Sequence, residues 1–224
     1  GLMKNCNSIC LNGNRLKQDI ESELGYGVRI ENDANCFALS EACYGSAATA
    51  QSMFGVIIGT GCGGGVVFQK QLLNGPNSIA GEWGHNSLPS SARSLIGKDR
   101  LCYCGRSNCI ETVLSGRGMS LTHQELTGET LSAEKIARAA EAGDGAAQAT
   151  LHKYADQLGR CLATIVNVLD PEVVVLGGGL SNISALYDLT PTLWNEYIFT
   201  DKVHTKLLPP QYGDASGARG AACL

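Results

Sequence analysis

Apolar residues follow two regimes along this chain: short unbroken runs bounded by glycines, and longer stretches in which they recur every third or fourth position. The stretch "GVRIENDANCFALSEACYG" opens with a short apolar segment, which predicts a strand over residues 28–30, and then takes helical spacing from about residue 34 to 44. Asn32 and Asp33 stand at the junction, where a short polar side chain caps a helix by accepting from its first free N–H groups. "MFGVIIGTGCGGGVVFQKQLLNG" predicts a strand, a glycine-rich turn and a second strand, with Asn74-Gly75 as a further turn signal. A helical region is predicted from Ser132, broken near residues 143–145 and closed by Pro171, with apolar residues at helical spacing in its second half. The run at residues 173–176 predicts a buried strand opening into three glycines and another helix. Strands alternating with helices point to an α/β architecture.

Composition agrees with a folded domain. The 224 residues suffice for one large domain or one and a half ordinary ones, and 44% hydrophobic with 17% charged residues is the balance of a globular chain. A formal charge of −4 without any run of Lys or Arg argues against a nucleic-acid surface and against docking on an anionic membrane. No window nears the roughly 18 apolar residues of a membrane span, and "GLMKNCNSIC" lacks the basic and apolar regions of a signal peptide, so the expectation is a cytoplasmic protein. Both ends break off within an ordinary globular pattern, which suggests a piece of a longer protein.

Ten cysteines change the picture only where they crowd. Cys6, Cys10, Cys36, Cys43, Cys62, Cys161 and Cys223 are scattered singly and read as reduced, buried small hydrophobes. Cys102, Cys104 and Cys109, in "LCYCGRSNCIE", place three soft ligands on one tight turn with Gly105 relieving the backbone. That spacing suits tetrahedral Zn²⁺ if a fourth ligand is near, and His85, in "GEWGHNSLP", is the candidate. Such a Cys₃His site is closed and therefore structural in type. A disulfide plus a free thiol, or three unbound thiols, are the competing readings.

Two glycine-rich turns could approach phosphate or a nucleotide. In "GTGCGGG" the missing Cβ atoms expose backbone N–H groups, and Thr60, beside Gly61, adds a hydroxyl. The pattern is neither a P-loop nor a dinucleotide fingerprint, and a hairpin without ligand would also select these glycines. Gly177, Gly178 and Gly179 follow a buried strand, where open α/β sheets offer a crevice, although close packing of strand on helix also favours glycine. Asp33 could act as a general base as well as a helix cap. Glu82 and Glu111 flank the proposed metal ligands, and a metal that fixes those neighbours would fix the two carboxylates too.

With "NDANCFALSEA", "VIIGTGCGGGV", "AGEWGHNSLP", "CYCGRSNCIET", "LGGGLSN" and "GDASGARGAACL" in this order, the chain resembles the ROK family of sugar kinases and repressors along nearly its whole length, most closely the bacterial ROK fructokinases. The resemblance implies an actin-like, ribonuclease-H-like α/β fold closing on ATP and a hexose, with Mg²⁺ on the nucleotide and a structural Zn²⁺. It implies that Asp33 is the catalytic base, that Asn32, Glu82, His85 and Glu111 bind sugar hydroxyls, and that His85, Cys102, Cys104 and Cys109 hold the zinc. Thr60 and Gly61 match a phosphate-binding turn, and Gly177 to Gly179 the adenosine-side turn. His85 would serve twice, one nitrogen on zinc and the other facing the sugar. Asn108 stands where the family's cluster usually has glycine, and asparagine tolerates the left-handed backbone such a turn needs.

The family's opening D-x-G-G-T-K phosphate motif does not occur in these residues. The implied layout is therefore residues 1–32 as the tail of a small lobe, 33–210 as the large lobe, and 211–224 as a terminal helix packing back toward the small lobe. The implied activity is phosphorylation of a hexose at its 6-hydroxyl, fructose first, with N-acetylglucosamine, mannose or glucose as alternatives. A sugar-responsive repressor is the rival within the family, and would need a helix-turn-helix ahead of Gly1 to bind nucleic acid. The resemblance also suggests a homodimer, with Trp83 and Trp194 as anchors by residue type alone.

Overall fold

A computed structural model describes residues 2, 3 and 9–224 of the chain; Cys6 lies outside the described residues. Among the described residues, five strands form one mixed sheet: β1 (Ser52–Ile58), β2 (Cys62–Phe68), β3 (Gln71–Leu72), β4 (Val173–Gly177) and β5 (Lys206–Leu208). Their order is β3-β2-β1-β4-β5, with β1, β2 and β3 antiparallel in sequence and β4 and β5 parallel to β1. The helices are α1 (Leu16–Leu24), α2 (Asp33–Cys43), α3 (Ser90–Arg93), α4 (Glu111–Leu114), α5 (Gly116–Thr127), α6 (Ala133–Glu141), α7 (Gly145–Leu169), α8 (Ala185–Leu193) and α9 (Ser216–Ala221).

The strand period of two sorts the sheet's side chains into two cores. Met53, Val67, Val173 and Val175 meet Phe37, Ala38 and Ala42 of α2 on one face. Phe54, Val56, Ile58, Val174 and Leu176 meet Leu158, Cys161 and Leu162 of α7 on the other. Covering both faces is why β4 reads as an unbroken apolar run. The helix starts follow their capping residues: Asn32 accepts from the N–H groups of Ala34 and Asn35, Ser132 from Lys135, and Asp144 from Ala147.

The glycines of "GTGCGGG" divide their work. Only residues 59–61 make the turn, while Gly63, Gly64 and Gly65 lie within β2 and make room for neighbours. A Cβ on Gly65 would stand 2.9 Å from the carbonyl of Ala34 and from the Ala38 methyl, and one on Gly64 would stand 2.7 Å from the Phe54 ring. Helix α2 therefore rides directly on the hairpin, which carries Asp33 to its start.

Two expectations fail. Residues 28–30 form no strand: no ladder partner is present among the described residues, and Ile30 is exposed. The β2–β3 hairpin turns at Gln69 and Lys70, both at positive φ (49° and 63°), and the further turn signalled by Asn74-Gly75 follows it, with the Ser78 N–H donating to the carbonyl of Gly75 at 3.1 Å. Lys70 carries no glycine-like freedom, but its ammonium donates to the carbonyls of Ala42 (2.6 Å) and Ala48 (2.5 Å), which holds the turn against the end of α2. Trp83 and Trp194 are 3% and 2% exposed, so both anchor this chain's own core and neither faces outward to meet a second copy.

Candidate functional site

The two glycine turns meet because β1 and β4 are parallel neighbours ending on the same side. A Cβ on Gly59 would lie 3.8 Å from the amide nitrogen of Gly179, so the Thr60-Gly61 tip and the Gly177–Gly179 turn share one crevice at the strands' carboxyl ends. Gly178 has φ +78° and lies against the carbonyl of Ile58, where a side chain would both strain the backbone and clash. Beyond this turn, Ile183, Ser184, Ala185 and Leu189 join Ala137, Ala140, Leu151 and His152 around a mostly apolar cavity of about 310 Å³.

Asp33 and Asn32 arrive at the same end from the other face. A Cβ on Gly63 would contact the Ala34 methyl at 3.5 Å, so the first turn of α2 sits over the start of β2. The Asp33 carboxylate is exposed, with one oxygen 2.9 Å from the N–H of Ala34. The Asn32 side-chain oxygen is already engaged with two helix N–H groups, at 2.8 and 3.3 Å, which leaves its amide NH₂ for a ligand.

Glu82 and His85 come in on a segment pressed onto β2. Gly81 (φ +91°) would place a Cβ 2.1 Å from the carbonyl of Gly64, Gly84 would place one 1.8 Å from the carbonyl of Cys62, and the Trp83 indole donates to the carbonyl of Gly63 at 3.0 Å. Glu111, first residue of α4, reaches the turn itself: its carboxylate accepts from the N–H of Cys62 at 3.0 Å. Thus Asp33, Thr60, Gly61, Glu82, His85 and Glu111, dispersed over 79 sequence positions, gather around the first residues of one strand.

The cysteine turn closes over His85. Its Nδ1 lies 3.6 Å from Cys102 Sγ, Cys104 Sγ lies 3.6 Å from Cys109 Sγ, and the four ligand atoms all fall within 4.8 Å of one another. Ligands on a tetrahedral zinc stand about 3.6–3.8 Å apart, so small side-chain rotations would complete a site. Backbone conformation prepares it: Gly105 has φ +87°, and Asn108 has φ +57°, taking the left-handed place expected of it. The Asn108 side chain also accepts from the N–H of Arg100 and donates to Asp99. Arg100, 6% exposed, then ties the loop to α5 through Thr122, Glu125 and the carbonyl of Gly118. Of the scattered cysteines, Cys36, Cys62 and Cys161 are buried as small hydrophobes should be, whereas Cys10 is exposed and Cys43 and Cys223 are half-buried, because they lie near the surface ends of their segments.

The thiols differ in proton affinity. The N–H and guanidinium of Arg106 hold Cys104 down at about 6, whereas burial pushes Cys109 up to about 12 and also raises Cys102. One thiolate is therefore ready to take a cation, and the cation's charge would have to displace the remaining protons.

The structure adds one residue that spacing did not single out. The Tyr103 hydroxyl lies 2.9 Å from His85 Nε2, with the two rings edge to face at 5.1 Å. Burial, followed by the charges of Glu111, Cys102 and Glu82, pushes the phenol up to about 12. Its only signal in the sequence was its place between two ligands.

A family model described as "ROK family" matches residues 1–224. The N-acetyl-D-glucosamine kinase of Vibrio vulnificus (strain YJ016) is 40% identical over 215 residues, covering 95% of this chain and 71% of that protein. Among solved structures, a ROK hexokinase from Thermus thermophilus matches with a TM-score of 0.82 at 29% identity, over 95% of this chain and 69% of that one. A ROK family glucokinase from Streptomyces griseus, in complex with glucose and AMPPNP, gives 0.82 at 27% identity, over 95% and 72%.

Proposed function

Because the chain belongs to the ROK family along its whole length, and with it shares the actin-like α/β fold, we propose that it acts in the ATP-dependent phosphorylation of a hexose, N-acetylglucosamine before fructose. Several relatives at 38–41% identity are N-acetyl-D-glucosamine kinases, and that displaces the fructose preference suggested by the motifs. The observation that carries the reading is the gathering of a carboxylate, a hydroxyl-bearing glycine turn and a second carboxylate at the start of β2.

Asp33, exposed at the helix start, takes the proton of the sugar's 6-hydroxyl as that oxygen bonds to the γ-phosphorus and the bond to the ADP oxygen breaks. Thr60 and Gly61 supply backbone and hydroxyl donors to the transferring phosphate. The cavity beginning at Ile183, just past the Gly177–Gly179 turn, fits the flat apolar base of the nucleotide. Mg²⁺ would travel on the ATP phosphates. Asn32, Glu82, His85 and Glu111 would hold the sugar's other oxygens.

His85, Cys102, Cys104 and Cys109 fit zinc in ligand type and spacing. A zinc held there would stiffen the loop and fix His85, and through the loop the approach of Glu111; the site is structural because every position is filled by protein. Among the described residues no helix is long and apolar enough to cross a membrane. We also infer a cytoplasmic setting, where ATP is at hand.

The test is release of ADP by the full-length protein over a panel of N-acetylglucosamine, glucose, mannose and fructose, with Asp33→Asn as control. N-acetylglucosamine should give the highest kcat/KM, and Asp33→Asn should lower kcat by about 10²–10⁴-fold while sugar still binds. No turnover with any hexose would refute the reading.

A further inference from the structure

We propose that Gln148 reads the base of the phosphoryl donor, accepting a purine with an amine at position 6 and rejecting one with a carbonyl there. The proposal rests on the sugar-kinase reading above and concerns the nucleotide side of the same site. The cavity of about 310 Å³ lies between the second half of α6 and the opening turns of α7 on one side, and the segment from Ile183 to Leu189 on the other. Ala137, Ala140, Leu151, Ala185 and Leu189 give it apolar walls, the surroundings that draw a flat ring system out of water. Ligand pockets begin at roughly 300 Å³, so this one holds a base and leaves the ribose and phosphates outside it.

The way in fixes the orientation. Ile183 stands four residues past Gly179, so the ribose and phosphates lie toward the Gly177–Gly179 turn, and the edge of the base opposite its bond to ribose faces α6 and α7. Position 6 of a purine is on that edge, and Gln148 is on that wall. Its Nε2 donates to the carbonyl of Ala140 at 3.2 Å, while its Oε1 accepts from no group among the described residues. The amide is held that way round, because a flip would set Oε1 against the Ala140 carbonyl, two acceptors without a proton between them. That carbonyl is itself fixed by the Gly143 N–H at 3.1 Å. Gln148 therefore presents an acceptor to the cavity. An amine at position 6 satisfies it, whereas a carbonyl there meets it with another lone pair and leaves both oxygens unpaired. A site built on one such bond rejects the analogue lacking the donor more strongly than apolar walls alone could.

Inosine triphosphate isolates the point, since it differs from ATP only in the carbonyl at position 6 and the proton that comes with it. The full-length protein and its Gln148→Leu variant, which keeps the bulk and loses the acceptor, are assayed with N-acetylglucosamine and each nucleotide in turn, and ADP and IDP binding is measured by calorimetry. The wild-type protein should favour ATP over ITP by about tenfold or more in kcat/KM, and ADP over IDP by a similar factor in Kd. Gln148→Leu should bring both preferences below about threefold through weaker binding of the adenine nucleotides, while KM for the sugar stays the same. Equal use of ATP and ITP by the wild-type protein, or a preference that survives in Gln148→Leu, would overturn the proposal. So would a preference for GTP, which would make Glu141, on the same wall, a reader of guanine. If the wild-type protein phosphorylates no hexose with any nucleotide, the kinase reading fails; if it does so with ATP and ITP alike, only this inference fails.

Discussion

Glu41, fully buried on α2, offers a stability experiment whose outcome can be worked out atom by atom. One carboxylate oxygen accepts from the N–H groups of Ser46 (2.9 Å) and Gln211 (3.0 Å), and the other accepts from the Ser216 hydroxyl at 2.6 Å. The side chain thus fastens the helix that carries Asp33 to the segment leading into α9. Glu41→Ala strands two N–H groups and a hydroxyl; at about 1–3 kcal/mol for each buried donor left unpaired, softened by entry of water, the cost should be about 3–5 kcal/mol. For a chain of this size, that lowers Tm by about 6–20 °C. Glu41→Gln should behave differently. Its amide oxygen can take both N–H groups, and its NH₂ can face Ser216, whose hydroxyl turns round to accept; only the charge assistance is lost, at a cost of about 1–2 kcal/mol. Urea denaturation of the three proteins measures both values. Equal damage from Gln and Ala, or less than about 1 kcal/mol from Ala, would refute the reasoning.

Gly220→Ala sets a Cβ 1.7 Å from the carbonyl oxygen of Cys36, so α9 must lift from α2; a loss of about 1–3 kcal/mol in the same denaturation assay is expected, and a neutral outcome would mean that the two helices are not packed as described. After removal of metal by a chelator at neutral pH, Cys104 should be alkylated well before Cys102 and Cys109, because it is exposed and its thiol is already mostly ionised above about pH 6, while burial keeps the other two protonated. Mass spectrometry of the labelled peptides follows this, and restoring zinc should abolish the difference by protecting all three; equal labelling in the metal-free protein would contradict the stated order of proton affinities.

Local signals in the sequence were readable, and long-range ones were not. The cap at Asn32, the apolar run of β4 and the left-handed Asn108 are each decided within a few residues, so spacing and residue type suffice. The candidate metal cluster was legible for the same reason, three of its four residues lying on one turn. The β2–β3 turn was not, because Gln69 and Lys70 adopt positive φ only with the Lys70 ammonium seated on carbonyls at the end of α2, about twenty residues or more away. The segment at residues 28–30 has apolar alternation enough for a strand but lacks a partner among the described residues, and a strand without a neighbour leaves its backbone groups unpaired. The last three glycines of "GTGCGGG" looked like part of a phosphate loop and turn out to admit α2 and Phe54, a demand set by other elements. Tyr103 was passed over because an aromatic residue between two cysteines has no spacing rule; only the fold shows that His85 meets it.

Phosphorus and proton NMR of the product formed from N-acetylglucosamine and ATP tests the central claim most directly. The role proposed for Asp33 predicts phosphate on the sugar's 6-oxygen with ADP released in equal amount. Phosphate at another carbon, or ATP left intact beside unmodified sugar, would contradict it.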